Sequence, residues 1–303
     1  MLAWVCRESP DLAAALVASR TRVNLRPVDR TFALTSTLAL ALAACGPEPL
    51  PATGTLSTET FHSDIVDDDY VLRVRLPPDY DAQADVQYPL VIQLDPTFVG
   101  LEQYAITVGL ISQHAAAGDW PEAIVVGVDY PDPGTRERDY VPETPADPDY
   151  GGEGADRFHR VLRDEILPHV EAQWHVDPSQ RILIGHSNGA VFAWYSAFRH
   201  APPEPPLFAG VIAADAGLDE VLFTHERWHA ERSDALPIRL YAARAVYNGA
   251  GQKIGFDAMI DRLLERDYQG LELAYDEFET DHGGVVWPAF EAGLEHVLAG
   301  GQP

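Results

Sequence analysis

Lysine occurs once in the 303 residues, at Lys253, and cysteine twice, at Cys6 and Cys45. Two cysteines, both early in the chain, leave no disulfide framework and no cysteine-built metal site for the remainder. Basic side chains number 21 against 47 acidic ones, a formal charge of −26. A surface this acidic repels phosphate backbones and anionic headgroups, which argues against nucleic-acid binding. Its plain use is solubility, and scarce lysine beside it also fits adaptation to salt. There is no internal repeat and no low-complexity tract. What is abundant is apolar residue, 46% of the chain, enough for one large core but not for two enzymatic domains.

The apolar run TFALTSTLALALAA (31–44) has signal-peptide length and is short for a permanent membrane span. Arg20, Arg22, Arg26 and Arg30 precede it as a positive n-region, and Leu42-Ala43-Ala44-Cys45-Gly46 ends it. A small-residue cleavage site meeting a Cys resembles the lipobox of bacterial lipoproteins. That resemblance implies lipidation of Cys45 and an extracytoplasmic protein held at the cell envelope by its lipid. An ordinary secretory signal with a chance Cys is the plainer alternative. The expected organisation is a leader over 1–45, a Pro/Gly-rich tether over 46–55 (GPEPLPATGT) and one domain over 56–303.

Within the domain, strand and helix patterns alternate. Tyr70–Leu76 alternates apolar and charged residues, as a half-buried antiparallel strand does. Pro89–Leu94 and Ala123–Val128 are continuous apolar runs, as in buried parallel strands. Phe158, Leu162, Ile166 and Val170 recur every four residues and predict a helix over Ala155–Trp174. Strands are predicted at Arg181–Ile184, Phe208–Ala213, Ile238–Ala242 and Leu271–Phe278, and helices at Ala190–Phe198, Phe256–Leu264 and Val285–Leu298. This alternation predicts an α/β fold, a mostly parallel sheet with helices on both faces. Residues 131–152 (PDPGTRERDYVPETPADPDYGG) lack periodicity and read as a long loop, either functional or merely disordered.

Gly185-His186-Ser187-Asn188-Gly189 matches G-x-S-x-G between a predicted strand and a predicted helix. A nucleophilic Ser needs that sharp turn: it exposes the hydroxyl and aims the helix N-terminus at developing negative charge. The matching base is a His late in the chain, and His282 lies in a Gly-rich turn between the last strand and last helix. The acid is open. After the strand Ile238–Ala242 the first carboxylate is Asp257, favoured because it follows the expected strand. Asp215 follows the preceding strand and is the alternative, and a Ser–His dyad is the third possibility. A competing motif, His225-Glu226-Arg227-Trp228-His229, matches the H-E-x-x-H of zinc peptidases, with Glu226 as base. Its plainer reading is a helix covering the sheet.

From Gly151 to Tyr195 the chain resembles the putative-esterase family of α/β-hydrolases, which includes siderophore (enterobactin-type) esterases, feruloyl esterases, S-formylglutathione hydrolases and mycolyltransferases. Three further segments share the likeness: Arg-x-Arg-Asp-x-x-Pro from Arg136 to Pro142, LVIQLDP from Leu90 to Pro96, and DHGGVVWPAFEAGLEHVL from Asp281 to Leu298. It spans roughly residues 55–299 and is closest to the siderophore-esterase branch. The resemblance implies the α/β-hydrolase fold and a serine esterase that forms an acyl-enzyme on Ser187. It implies an oxyanion hole from the backbone N–H groups of Asn188 and Thr97, with Pro96 standing where the family usually has Gly. It makes Arg136 and Arg138 candidates for substrate binding. No cofactor is implied, and the partner is a small-molecule ester. A catalytically inactive ligand-binding lipoprotein on the same fold is the remaining alternative.

Overall fold

A computed structural model describes residues 51–82, 85–97, 102–130, 132, 134–143, 154–199 and 205–299. The leader, Cys45 and the first half of the tether lie outside the described residues. The second half is tied to the domain: Thr53 N–H donates to Ser112 Oγ at 3.0 Å, and its carbonyl accepts Arg75 Nε at 2.9 Å.

Eight strands form one sheet in the order β1-β2-β4-β3-β5-β6-β7-β8. They are β1 Thr55–Ser63, β2 Asp68–Leu76, β3 Tyr88–Leu94, β4 Ile124–Asp129, β5 Val176–His186, β6 Gly210–Ala214, β7 Arg239–Ala245 and β8 Glu272–Phe278. β1 and β2 run antiparallel, and from β4 to β8 every pairing is parallel. The predicted strands all appear, and β1 is added. Its sequence TLSTETFHS is polar and its residues mostly exposed, so it lacks the apolar signature that betrays a strand.

Burial alternates along the central strands and fills two cores. Leu90, Ile92, Val126, Leu183, Val211 and Leu240 face one side; Val91, Val125, Ile182, Ile184, Ile212 and Tyr241 face the other. The second face is covered by α1 (Gln103–Ala117) and, at the far end of the chain, α8 (Val286–Leu298). The first face carries α3 (Ala155–Arg160), α4 (Leu167–Gln173), α5 (Asn188–Phe198), α6 (Glu220–Arg232) and α7 (Ala250–Arg266). A short helix, α2 (Thr135–Tyr140), forms inside the stretch expected to be loop. Pattern reading misses α1 because residues 107–112 are buried consecutively, so no apolar stripe stands out. Between α3 and α4 the predicted long helix passes through a π-helical turn, Val161–Ile166. Pro168, just beyond, has no N–H to give and its ring crowds the carbonyl four residues back, which widens the helix there. This is the α/β-hydrolase arrangement expected from the sequence. Strand order reverses between β3 and β5, so their carboxyl ends flank a crevice.

Candidate active site

β5 ends in that crevice, and the chain turns into α5 at Ser187. Ser187 has φ 59° and ψ −124°, a conformation L residues avoid. Hydrogen bonds on both sides hold it: its N–H donates to the Ala214 carbonyl and its carbonyl accepts Val191 N–H, each at 3.0 Å. The flanking glycines have separate uses. A Cβ on Gly185 would overlap the Gly189 backbone, and a Cβ on Gly189 would press to 3.2 Å from Asp95 Oδ2.

His282 lies in the turn between β8 and α8. Its Nδ1–H donates to Asp215 Oδ2 at 2.6 Å. Asp215 directly follows β6, buried, with φ 56°. Its other oxygen accepts Ala245 N–H at 2.9 Å, and its own N–H donates to the Ala243 carbonyl at 2.7 Å. Asn248 Nδ2 donates to Asp215 Oδ2 at 2.5 Å and stands 3.0 Å from His282 Nδ1. With Nδ1 bonded in this way, His282 Nε2 is left as the bare nitrogen, able to take a proton. His186, the x before Ser187, steadies the same turn. Its Nε2–H donates to the His282 carbonyl at 2.7 Å, and the two rings lie 4.3 Å apart. Burial and the neighbouring His282 push the His186 pKa down to about 4, so it is a neutral donor at neutral pH.

Ser187, Asn188, Asp215, Asn248 and His282 line one pocket of about 280 Å³, with Val141, Val191, Gly217, Asp219 and Gln252. The structure therefore brings together the predicted Ser187, His282 and Asn188, and of the two candidate acids it sets Asp215 against His282. Asp257, the favoured candidate, sits on α7 outside the pocket and pairs with Lys253 at 2.9 Å. The strand-end position it was meant to fill holds Asn248, which sequence reasoning missed. The signal was present: Asn248 is a side-chain donor and acceptor in the turn Val246–Asn248 that follows β7.

Thr97 is not among the pocket's lining residues; its hydroxyl donates to Asp129 Oδ1 at 2.6 Å, whereas the oxyanion expectation concerns its N–H. Two other expectations are corrected. Arg136 does not present a guanidinium to the pocket. It is buried and forks onto Asp95, Nε to Oδ1 at 2.8 Å and a terminal nitrogen to Oδ2 at 2.6 Å. Burial pushes the Asp95 carboxyl up and Arg136 opposes that rise; Gly189 N–H, in the first turn of α5, also bonds this carboxylate. Arg138 is engaged by Asp139 at 2.7 Å and Asp68 at 3.2 Å.

The zinc motif is also put to another use. His225 and His229 donate to the carbonyls of Glu143 and Ala235, each at 3.1 Å. Glu226, fully buried, meets Arg262 at 3.1 Å, Arg266 at 3.0 Å and Tyr268 Oη at 2.8 Å. A glutamate so paired ties α6 to α7 and is no longer a base aimed at a metal-bound water. His186, Asp215 and His282 place possible ligand atoms within 4.8 Å of one another. Asp215 Oδ2 and His282 Nδ1 are bonded to each other, and His186 Nε2 to the His282 carbonyl.

A strained serine at a strand-to-helix turn, with an Asp-bound His beside it on a mostly parallel sheet, defines a hydrolase of the α/β class. A family model described as Putative esterase matches residues 63–253, and the chain belongs to that family. It is a carboxylic ester hydrolase. An IroE-like serine hydrolase from Shewanella oneidensis is similar in structure, with a TM-score of 0.68 at 23% identity over 80% of this chain and 79% of that one. The BES protein from Bacillus cereus gives 0.65 at 18% identity over 92% and 99%. The siderophore hydrolase EstB from Aspergillus nidulans gives 0.63 at 20% identity over 84% and 99%. Identities this low carry the fold alone.

Proposed function

We propose that the chain hydrolyses its ester through an acyl-enzyme on Ser187. His282 Nε2 takes the hydroxyl proton as Ser187 Oγ attacks the ester carbonyl carbon. Asp215 fixes the tautomer through Nδ1–H and stabilises the imidazolium that forms. The tetrahedral oxyanion is received by Asn188 N–H at the start of α5, with Thr97 N–H as the second donor. Collapse breaks the C–O bond, and His282 returns the proton to the leaving alcohol. Water, activated in the same way, then frees the acid and regenerates Ser187.

The observation that carries this reading is the 2.6 Å Asp215–His282 hydrogen bond, on a pocket shared with Ser187 at its strained turn. Ser187→Ala is expected to abolish hydrolysis of a short aryl ester without lowering Tm. A fluorophosphonate should label wild type and leave the variant unlabelled. Equal labelling of both would remove Ser187 from the mechanism and favour the ligand-binding alternative. Siderophore esters enter as candidate substrates because EstB is a siderophore hydrolase.

The proposal extends to location. Cys45 becomes the lipidated first residue and anchors the enzyme at the cell envelope, on the strength of Leu42-Ala43-Ala44-Cys45 closing an apolar run. In a bacterium that processes lipoproteins, wild type should partition with membranes and Cys45→Ser should not. An uncleaved wild-type chain in the cytosol would contradict the anchor.

A further inference from the structure

We propose that the pocket selects uncharged or cationic esters and rejects polyanionic ones, with Asp219 as the specificity-determining side chain. The proposal rests on the Ser187 reading above and names the substrate class that site takes. The lining is chemically one-sided. Val141 and Val191 offer apolar surface, Asn188, Asn248 and Gln252 offer amides, and Asp215 and Asp219 offer carboxylates. No lysine or arginine lines the pocket among the described residues.

Arg136 and Arg138, on α2 just before the pocket's Val141, are held by Asp95, Asp139 and Asp68.

Charge therefore decides what enters. Asp215 is buried, with one oxygen bonded to His282 and Asn248 and the other to Ala245 N–H. Asp219 is exposed and caps α6 through one oxygen, Oδ1 accepting Val221 N–H at 3.0 Å. An anionic substrate meets the exposed Asp219 carboxylate, with no lysine or arginine among the described lining residues to offset it. The transition state then adds a further negative charge to the substrate. The formal charge of −26 acts in the same direction at long range.

The test uses three p-nitrophenyl esters of matched chain length whose acyl ends are methyl, trimethylammonium and carboxylate. Each is assayed at low salt with wild type and with Asp219→Asn, which retains a good helix cap. In wild type, kcat/KM for the anionic ester should lie at least about tenfold below that for the neutral one. Asp219→Asn should raise the anionic-to-neutral ratio by about threefold to tenfold, and added salt should raise it too. A wild-type ratio at or above one, or a ratio that Asp219→Asn leaves unmoved, would overturn the proposal. Failure of the underlying reading looks different: the neutral ester would be untouched, or cleaved equally well by Ser187→Ala. That result would remove the site and this inference with it.

Discussion

Asp215 Oδ2 carries two donors at once, His282 Nδ1–H and Asn248 Nδ2. Such sharing needs a carboxylate whose backbone is already turned toward the site, and φ 56° at Asp215 achieves it. Aspartate is among the few residues that adopt this left-handed conformation at modest cost. Two carboxylates were open as the acid, and they can be separated kinetically. Asp215→Asn should lower kcat by a factor on the order of 10⁴ with KM little changed, because an amide no longer fixes the base in its working tautomer. Asp257→Asn loses only a pairing to Lys253 on a half-exposed helix face and should cost less than about tenfold. Steady-state kinetics of both variants checks the pair. A small loss for Asp215→Asn would make this a Ser–His enzyme despite the geometry.

At the scale of elements, the site depends on how closely β5, α5 and the end of β3 approach. Gly185 and Gly189 permit that approach, and the buried Asp95–Arg136 fork fixes α2 against the strand end beside α5. Gly185→Ala drives a methyl into the Gly189 backbone, which no side-chain rotation can relieve. It should cost about 2–4 kcal/mol of stability and most of the activity, read from a urea midpoint and an ester assay. A variant as stable as wild type would show that the elbow can relax. The π-helical turn before Pro168 and the Glu226 ties between α6 and α7 are supports of a different kind. They position helices over the sheet and do not reach the pocket.

For the whole molecule, acid should be destabilising through histidines that are buried neutral. Burial first, then nearby arginines, push the His159 pKa down to about 3, and His186 falls to about 4. Both lie below the ordinary 6.5, so the unfolded chain binds these protons before the folded one does. Their contribution is fully present above about pH 6.5 and drains away as pH falls toward 4, at up to about 1.4 kcal/mol per pH unit for each proton. Neutralising surface carboxylates acts the other way by relieving self-repulsion, so the comparison must be internal. Between pH 7 and 5, unfolding free energy should fall less steeply for His159→Gln than for wild type, by close to one proton's worth. Parallel slopes would refute the assignment.

Periodicity alone placed the buried strands, the helices α5, α7 and α8 and the turn that carries Ser187, because those features are local: apolar runs, a 3.6-residue stripe, and glycines two residues either side of a serine. His282 was legible for the same reason, as a Gly-flanked turn residue between a strand and the last helix. The strand β1 was not, since an edge strand facing solvent needs no apolar alternation, nor was α1, which is buried too evenly to show a face. Which carboxylate meets His282 was decided only in three dimensions. Sequence order admitted Asp257 and Asp215 alike, and the choice turns on a parallel β6–β7 register that sets Asp215 beside Ala245 and Asn248 while α7 carries Asp257 away toward Lys253. The fates of Arg136 and of the His225-Glu226-Arg227-Trp228-His229 segment were likewise tertiary. A charged side chain shows its chemistry in the sequence, but its partner comes from wherever the fold brings an opposite charge within about 3 Å: Asp95 for Arg136, and Arg262 and Arg266 for Glu226.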